Sequence, residues 1–186
     1  MGSVLMIKPV SPFYPSQPLQ TVAACVLFAA MAATILIALG FQYIGGFIPC
    51  KLCLMERMPY YNAIPLMLVA AVLSARRADG IWVRGLFLLV GCLMAYGFAL
   101  SVYHAGAEWK LWPGPADCSI VGAFVPAEAG DLLDKLNTLR PVPCTEAPGY
   151  VLGLSMAGWN GVATLGFAIA ACIAGLTACN GKNCQL

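Results

Sequence analysis

Four long apolar runs leave few folds open to this chain. They lie at about 19–41, 54–75, 82–103 and 150–178. Each is at least as long as the roughly 20 helical residues that cross a hydrocarbon core of about 30 Å. In lipid, backbone N–H and C=O groups need partners within their own segment or a closed barrel, so runs of this length predict helices. Composition agrees: hydrophobic residues make up 61% of the 186-residue chain and charged residues 10%, where a soluble domain carries about 25% charged. Mean hydropathy is +0.83, and such a chain cannot cover a water-facing surface. The net charge of +2 is too small to suggest nucleic acid. The expectation is one membrane domain over 1–186, an all-α antiparallel four-helix bundle. Pro59 and Pro65 predict a kink in the second span. The first run passes Ala30-Met31-Ala32, a faint cleavage site, and continues to Phe41. That is too long for a signal peptide, so the helix is expected to be retained.

The short connection between spans two and three carries Arg76, Arg77 and Arg84 beside helix ends. Positive charge there places that loop, and with it both termini, in the cytoplasm. The loops at about 42–51 and 104–149 then face the other side. Lys110, Lys135 and Arg140 in the long loop cast a weaker opposing vote.

This topology sorts nine cysteines. Cys25, Cys92 and Cys172 fall within helices, where a free thiol packs as a small hydrophobe. Cys179 and Cys184 fall on the cytoplasmic tail, two ligands where zinc wants four. The other four face an oxidising side, where disulfides persist. Cys118 and Cys144 share the long loop, and pairing with each other, as a staple or as a reactive bridge, is their natural reading. Cys50 and Cys53 stand in "FIPCKLCLMERMPYY", residues 47–61. A bridge across two intervening residues constrains the unfolded chain little, which points to chemistry. A helix entrance, marked by Pro49, favours a thiolate. Arg57 is one turn beyond Cys53, while Glu56 could serve only to neutralise it. A Cys₄ zinc site from Cys50, Cys53, Cys118 and Cys144 lacks the usual second tight knuckle, and no metal is expected.

In the long loop, Trp109 and Trp112 suit a membrane interface, and Pro113-Gly114-Pro115 turns the chain. Leu132, Leu133, Leu136 and Leu139 follow helical spacing and predict a short amphipathic helix from about Pro126, lying on the membrane or on other loop residues. His104 closes the third span, either capping it or meeting a ligand at the depth of Arg57.

Together these parts resemble the DsbB family of bacterial disulfide-bond formation proteins: four spans, the box "CKLCLMER", a Tyr-His pair leading into a Trp- and Pro-containing loop, two loop cysteines, and "GLSMAGWN" at 153–160. The resemblance covers almost the whole chain. It implies a bacterial inner-membrane enzyme with periplasmic redox loops that reoxidises a soluble, DsbA-like thioredoxin-fold dithiol protein and passes the electrons to the quinone pool, ubiquinone or menaquinone. Carried over by motif, Cys50 and Cys53 are the quinone-side pair, and Cys118 and Cys144 the partner-side pair. Cys118 forms the mixed disulfide and Cys144 attacks Cys50. Arg57 assists Cys53 at the quinone, with His104 in or beside the quinone pocket. A quinone dissolves in lipid and the partner in water, which accounts for one pair at the membrane boundary and one on a loop. A dedicated paralogue serving one secreted client, and a non-enzymatic scaffold with stapling disulfides, are the competing readings.

Overall fold

The computed structural model describes residues 18–46, 49–115, 144–145, 147 and 149–177. Among them four helices are long and apolar enough to cross a membrane: α1 (Pro18–Tyr43), α2 (Lys51–Ala75), α3 (Gly80–Glu108) and α4 (Met156–Leu176). Their directions alternate. Thr21, at the start of α1, meets Ser74, at the end of α2, through their hydroxyls at 2.8 Å. At the opposite end Arg57 of α2 donates to Gln42 of α1, and Glu56 of α2 is bonded to His104 of α3 and Asn160 of α4. That second end also carries Cys50 and is called the cysteine end below.

The buried positions follow a repeat of four and three. On α3 they are Val83, Phe87, Val90, Met94, Gly97, Ser101 and His104; on α4, Gly161, Thr164, Ala168, Ala171 and Gly175. This 3.5-residue period is the seam of left-handed helix packing. In lipid there is little hydrophobic force between helices, so close approach of small residues holds them together. The seam accordingly places Gly, Ala, Ser and Thr inside, while Leu36, Ile37, Leu89 and Ile169 point outward. Gly97 is the tightest three-helix contact. A Cβ built there would lie 3.3 Å from Thr164 of α4 and 3.4 Å from Pro59 of α2. Pro59 and Pro65 both lie inside α2 without ending it.

The fourth helix begins at Met156, later than the apolar run from 150 suggests. Tyr150–Val151 (β1) and Leu154–Ser155 (β2) pair antiparallel, with Tyr150 opposite Ser155. Leu152 and Gly153, both at positive φ, make the two-residue turn that matches strand twist. The start signal of α4 is Ser155, whose hydroxyl accepts from the Gly158 amide, an N-cap. The indole of Trp159 donates back to the Val151 carbonyl at 2.9 Å, tying the hairpin to α4. α3 runs five residues past the expected 103, to Glu108. The amphipathic helix expected from about Pro126 lies outside the described residues, as do Cys118, Cys179 and Cys184.

Overpacking of a close helix contact costs about 1–3 kcal/mol. Gly97→Leu is therefore expected to lower the thermal unfolding midpoint in detergent by several degrees. Gly85→Leu, with nothing within 4 Å of its Cβ position, is expected to leave it nearly unchanged.

Candidate functional site

Cys50 is the N-cap of α2, and its extended backbone turns Sγ over the first helical turn to accept from the Cys53 amide at 3.2 Å. This is why the x-x spacing matters, since an N-cap side chain reaches the amide two or three residues on. The same turn brings the two sulfurs to 2.8 Å, and both cysteines are free thiols. The side-chain hydrogen bond it shares with Cys53 is the largest influence on Cys50 and, with the backbone amides of Cys53 and Leu52, holds its pKa below the ordinary thiol value against the opposing effects of burial and Glu56. Cys50 is thus the better thiolate of the pair at the helix entrance.

Cys144 is disulfide-bonded, and none of the five other described cysteines is its partner. It packs in one buried cluster with Cys50 and Leu52, with Cys53 against it. Of the four cysteines expected to be reactive, three therefore gather at one place, and Cys118 lies outside the described residues.

His104 joins them from α3. Its Nε2 is 3.7 Å from Cys50 Sγ, and its Nδ1 is 2.9 Å from Glu56 Oε1. A carboxylate can only accept, so Nδ1–H donates to Glu56 and the Nε2 lone pair faces Cys50. Thiol, imidazole and carboxylate thus stand in the order of a base-assisted nucleophile. Helix capping is not the role of His104, because α3 continues another turn, to Glu108. Glu56 does not neutralise Arg57, as its neighbour in sequence could suggest. Adjacent helical residues point about 100° apart, so Glu56 enters the bundle while Arg57 turns to α1, where it donates to Gln42 Oε1 at 2.5 Å.

Asn160 completes the network. Its Nδ2 donates to Glu56 Oε2 at 3.1 Å and to Ser101 Oγ at 2.9 Å, and its Oδ1 accepts from the Tyr60 hydroxyl at 2.9 Å. Ser101 passes its own hydrogen to the Gly97 carbonyl. Every hydrogen-bonding atom of the Asn160 amide is used. Glu108, one turn after His104, brings a second buried carboxylate: Oε1 is 3.9 Å from His104 Nε2 and Oε2 has no partner among the described residues.

A cavity of about 360 Å³ opens beside this network. α1 packs along α2 and scarcely touches α4, and the cavity fills the gap. Ile35, Ala38 and Phe41 of α1 face Ala157, Trp159 and Ala163 of α4, with Cys53, Arg57, His104 and Glu108 at its wall. The walls are apolar and a few polar groups converge, as in small-molecule sites. Tyr60, Ser101 and Asn160 were not foreseen as site residues. Polar side chains within apolar spans are the sequence signal that marks them.

A family model described as "Disulfide bond formation protein DsbB" matches residues 20–174. Curated relatives named "Disulfide bond formation protein B" include those of Cupriavidus necator, 32% identical over 67% of this chain and 73% of the relative, and Pasteurella multocida, 30% identical over 72% of each. That of Verminephrobacter eiseniae is 28% identical over 70% of this chain and 73% of the relative. No solved structure matches the chain.

Replacing Cys53 by Ala removes the side-chain hydrogen bond that lowers the Cys50 pKa. In the Cys53→Ala protein the thiolate absorbance of Cys50 is expected to titrate at higher pH than in the parent. An unchanged titration would show that burial and the amides alone govern this thiol.

Proposed function

Because the chain belongs to the DsbB family of disulfide bond formation proteins, we propose that this multi-pass membrane oxidoreductase takes two electrons from a soluble, DsbA-like thioredoxin-fold dithiol protein and delivers them to a membrane quinone. The observation that carries this reading is the position of the Cys50–Cys53 dithiol, between the buried Cys144 on one side and an apolar cavity on the other.

The exchange chemistry balances as follows. A thiolate of the partner attacks Cys118 in a Cys118–Cys144 disulfide and displaces the Cys144 thiolate. Cys144 attacks Cys50 in a Cys50–Cys53 disulfide and displaces Cys53. The partner's second thiolate resolves its mixed disulfide with Cys118, and the freed Cys118 attacks Cys144, releasing Cys50. The partner leaves oxidised, Cys118–Cys144 is restored, and Cys50 and Cys53 hold the two electrons. Cys50 as the more acidic thiol suits the leaving role, since exchange is faster when the displaced thiol has a low pKa.

The cavity fits a quinone. An apolar slot between α1 and α4 can take a flat ring with its tail toward lipid, and Arg57 and His104 supply polar contacts for its oxygens. When bound, a quinone accepts two electrons and two protons, restoring the Cys50–Cys53 disulfide. The protein's part is positioning and charge. Cys53 presents its sulfur at the cavity wall. His104 accepts the Cys50 proton at Nε2, and Glu56 holds the ring in the tautomer that can do so. Arg57, held by Gln42, opposes negative charge where it develops, an effect of several kcal/mol in a water-poor site.

The same reading places the protein in the bacterial inner membrane, with the cysteine end periplasmic and both termini cytoplasmic. Arg76 and Arg77 at the opposite end of α2 support that orientation.

Two measurements test these roles. Cys118→Ser or Cys144→Ser is expected to abolish oxidation of partner dithiols while quinone still oxidises Cys50–Cys53. Partner oxidation at the parent rate would make the loop bridge a staple. Arg57→Met is expected to keep the fold yet slow quinone reduction by about 10²-fold, the scale of losing one charge-stabilising group, and Arg57→Lys to retain part of the rate. A parental rate and quinone affinity in Arg57→Met would remove Arg57 from the site.

A further inference from the structure

We propose that the reduced Cys50–Cys53 pair and His104 form a binding site for one thiophilic divalent metal ion, with Zn²⁺ as the type, and that the ion holds the protein in its reduced, inactive state. The proposal rests on the reading of Cys50 and Cys53 as a pair that cycles between dithiol and disulfide.

Three ligand atoms, Cys50 Sγ, Cys53 Sγ and His104 Nε2, lie within 4.8 Å of one another. With Zn–S about 2.3 Å and Zn–N about 2.0 Å, a tetrahedral ion separates sulfur from nitrogen by about 3.5 Å and the two sulfurs by about 3.8 Å. The Cys50 Sγ to His104 Nε2 distance is 3.7 Å. The sulfurs, at 2.8 Å, need to part by about 1 Å to reach the tetrahedral spacing, a side-chain movement.

Two further observations point to a cation. Glu56 takes the Nδ1 hydrogen of His104, the carboxylate–histidine arrangement that fixes a metal-binding imidazole with Nε2 as donor. Glu108 places a buried carboxylate 3.9 Å from that Nε2, with one oxygen lacking a partner among the described residues. A cation bound at Cys50, Cys53 and His104 would bring positive charge close to the buried Glu108 carboxylate.

Binding displaces two thiol protons and leaves both sulfurs as metal thiolates. A disulfide offers no thiolate, so the oxidised protein has no such site. The ion and the electron acceptor therefore compete for the same two sulfurs, and metal excess stops turnover at the reduced stage.

The test uses the full chain in detergent with Cys179→Ser and Cys184→Ser, which removes the tail thiols, reduced by a phosphine. Co²⁺ is expected to bind at one equivalent, with thiolate-to-metal charge-transfer bands and the intense visible bands of tetrahedral cobalt. Oxidation to the disulfide is expected to abolish both, a comparison that needs no further mutation. Glu56→Gln is expected to weaken Co²⁺ binding about 10–100-fold. Stoichiometric Zn²⁺ is expected to slow quinone reduction more than tenfold, with recovery on chelation. Equal Co²⁺ binding by reduced and oxidised protein, absence of the charge-transfer bands, or full activity with Zn²⁺ bound would each overturn the proposal. If the cobalt signature is present but quinone never oxidises the pair, the redox reading fails and the metal site stands.

Discussion

The contact between Glu56 and His104 organises this protein. A carboxylate within a membrane span has to be paired or hydrogen-bonded, and Glu56 meets that demand from two other helices at once. His104 of α3 takes one oxygen and Asn160 of α4 the other. Leaving a buried hydrogen-bonding group without its partner costs about 1–3 kcal/mol, more where it is charged, so the contact sets the register of α2 against both neighbours. The rest follows from helix geometry. With Glu56 turned inward, Arg57 must face α1, and the N-cap of α2 places Cys50 over the imidazole.

The helices pack by size where a soluble bundle packs by polarity. On α4 small residues line the seam, on α3 Val83, Phe87 and Met94 fill it, and many large aliphatic side chains face outward. The Glu56–His104–Asn160 network occupies the interior at the cysteine end, where three helices meet, and α1 stands off from α4 to leave the cavity. The dithiol sits at the border of the two regions. Cys50 belongs to the hydrogen-bonded side and Cys53 to the cavity side, so two residues one turn apart experience different surroundings.

Much of this was legible in the chain. Four apolar runs gave four helices, and the Cys50–Cys53 spacing, Pro49 and the charge pair marked one helix entrance. Less was legible where the signal depends on tertiary contact. Glu56 beside Arg57 reads as a local pair, and only the three-dimensional packing separates them. Asn160 sits in an apolar span without a local partner, its three contacts coming from 59 to 104 positions away. The β1–β2 hairpin was hidden because its turn is Leu-Gly instead of Asn-Gly and its residues are as apolar as the helix that follows. Ser155 was the available boundary signal.

The two ends of the long loop meet on the bundle. Gly114 lies against Thr145, with a Cβ position 3.4 Å from the threonine methyl, Cys144 is anchored beside Cys50, and the hairpin pins the returning chain to α4. The segment between is thus closed at its base by contacts outside itself. Loop-closure entropy grows only with the logarithm of length, about 0.6 kcal/mol per doubling. Changes in the length of the chain between Pro115 and Cys144 consequently carry little loop-closure penalty, because the contacts that hold its two ends together do not depend on how many residues lie between them.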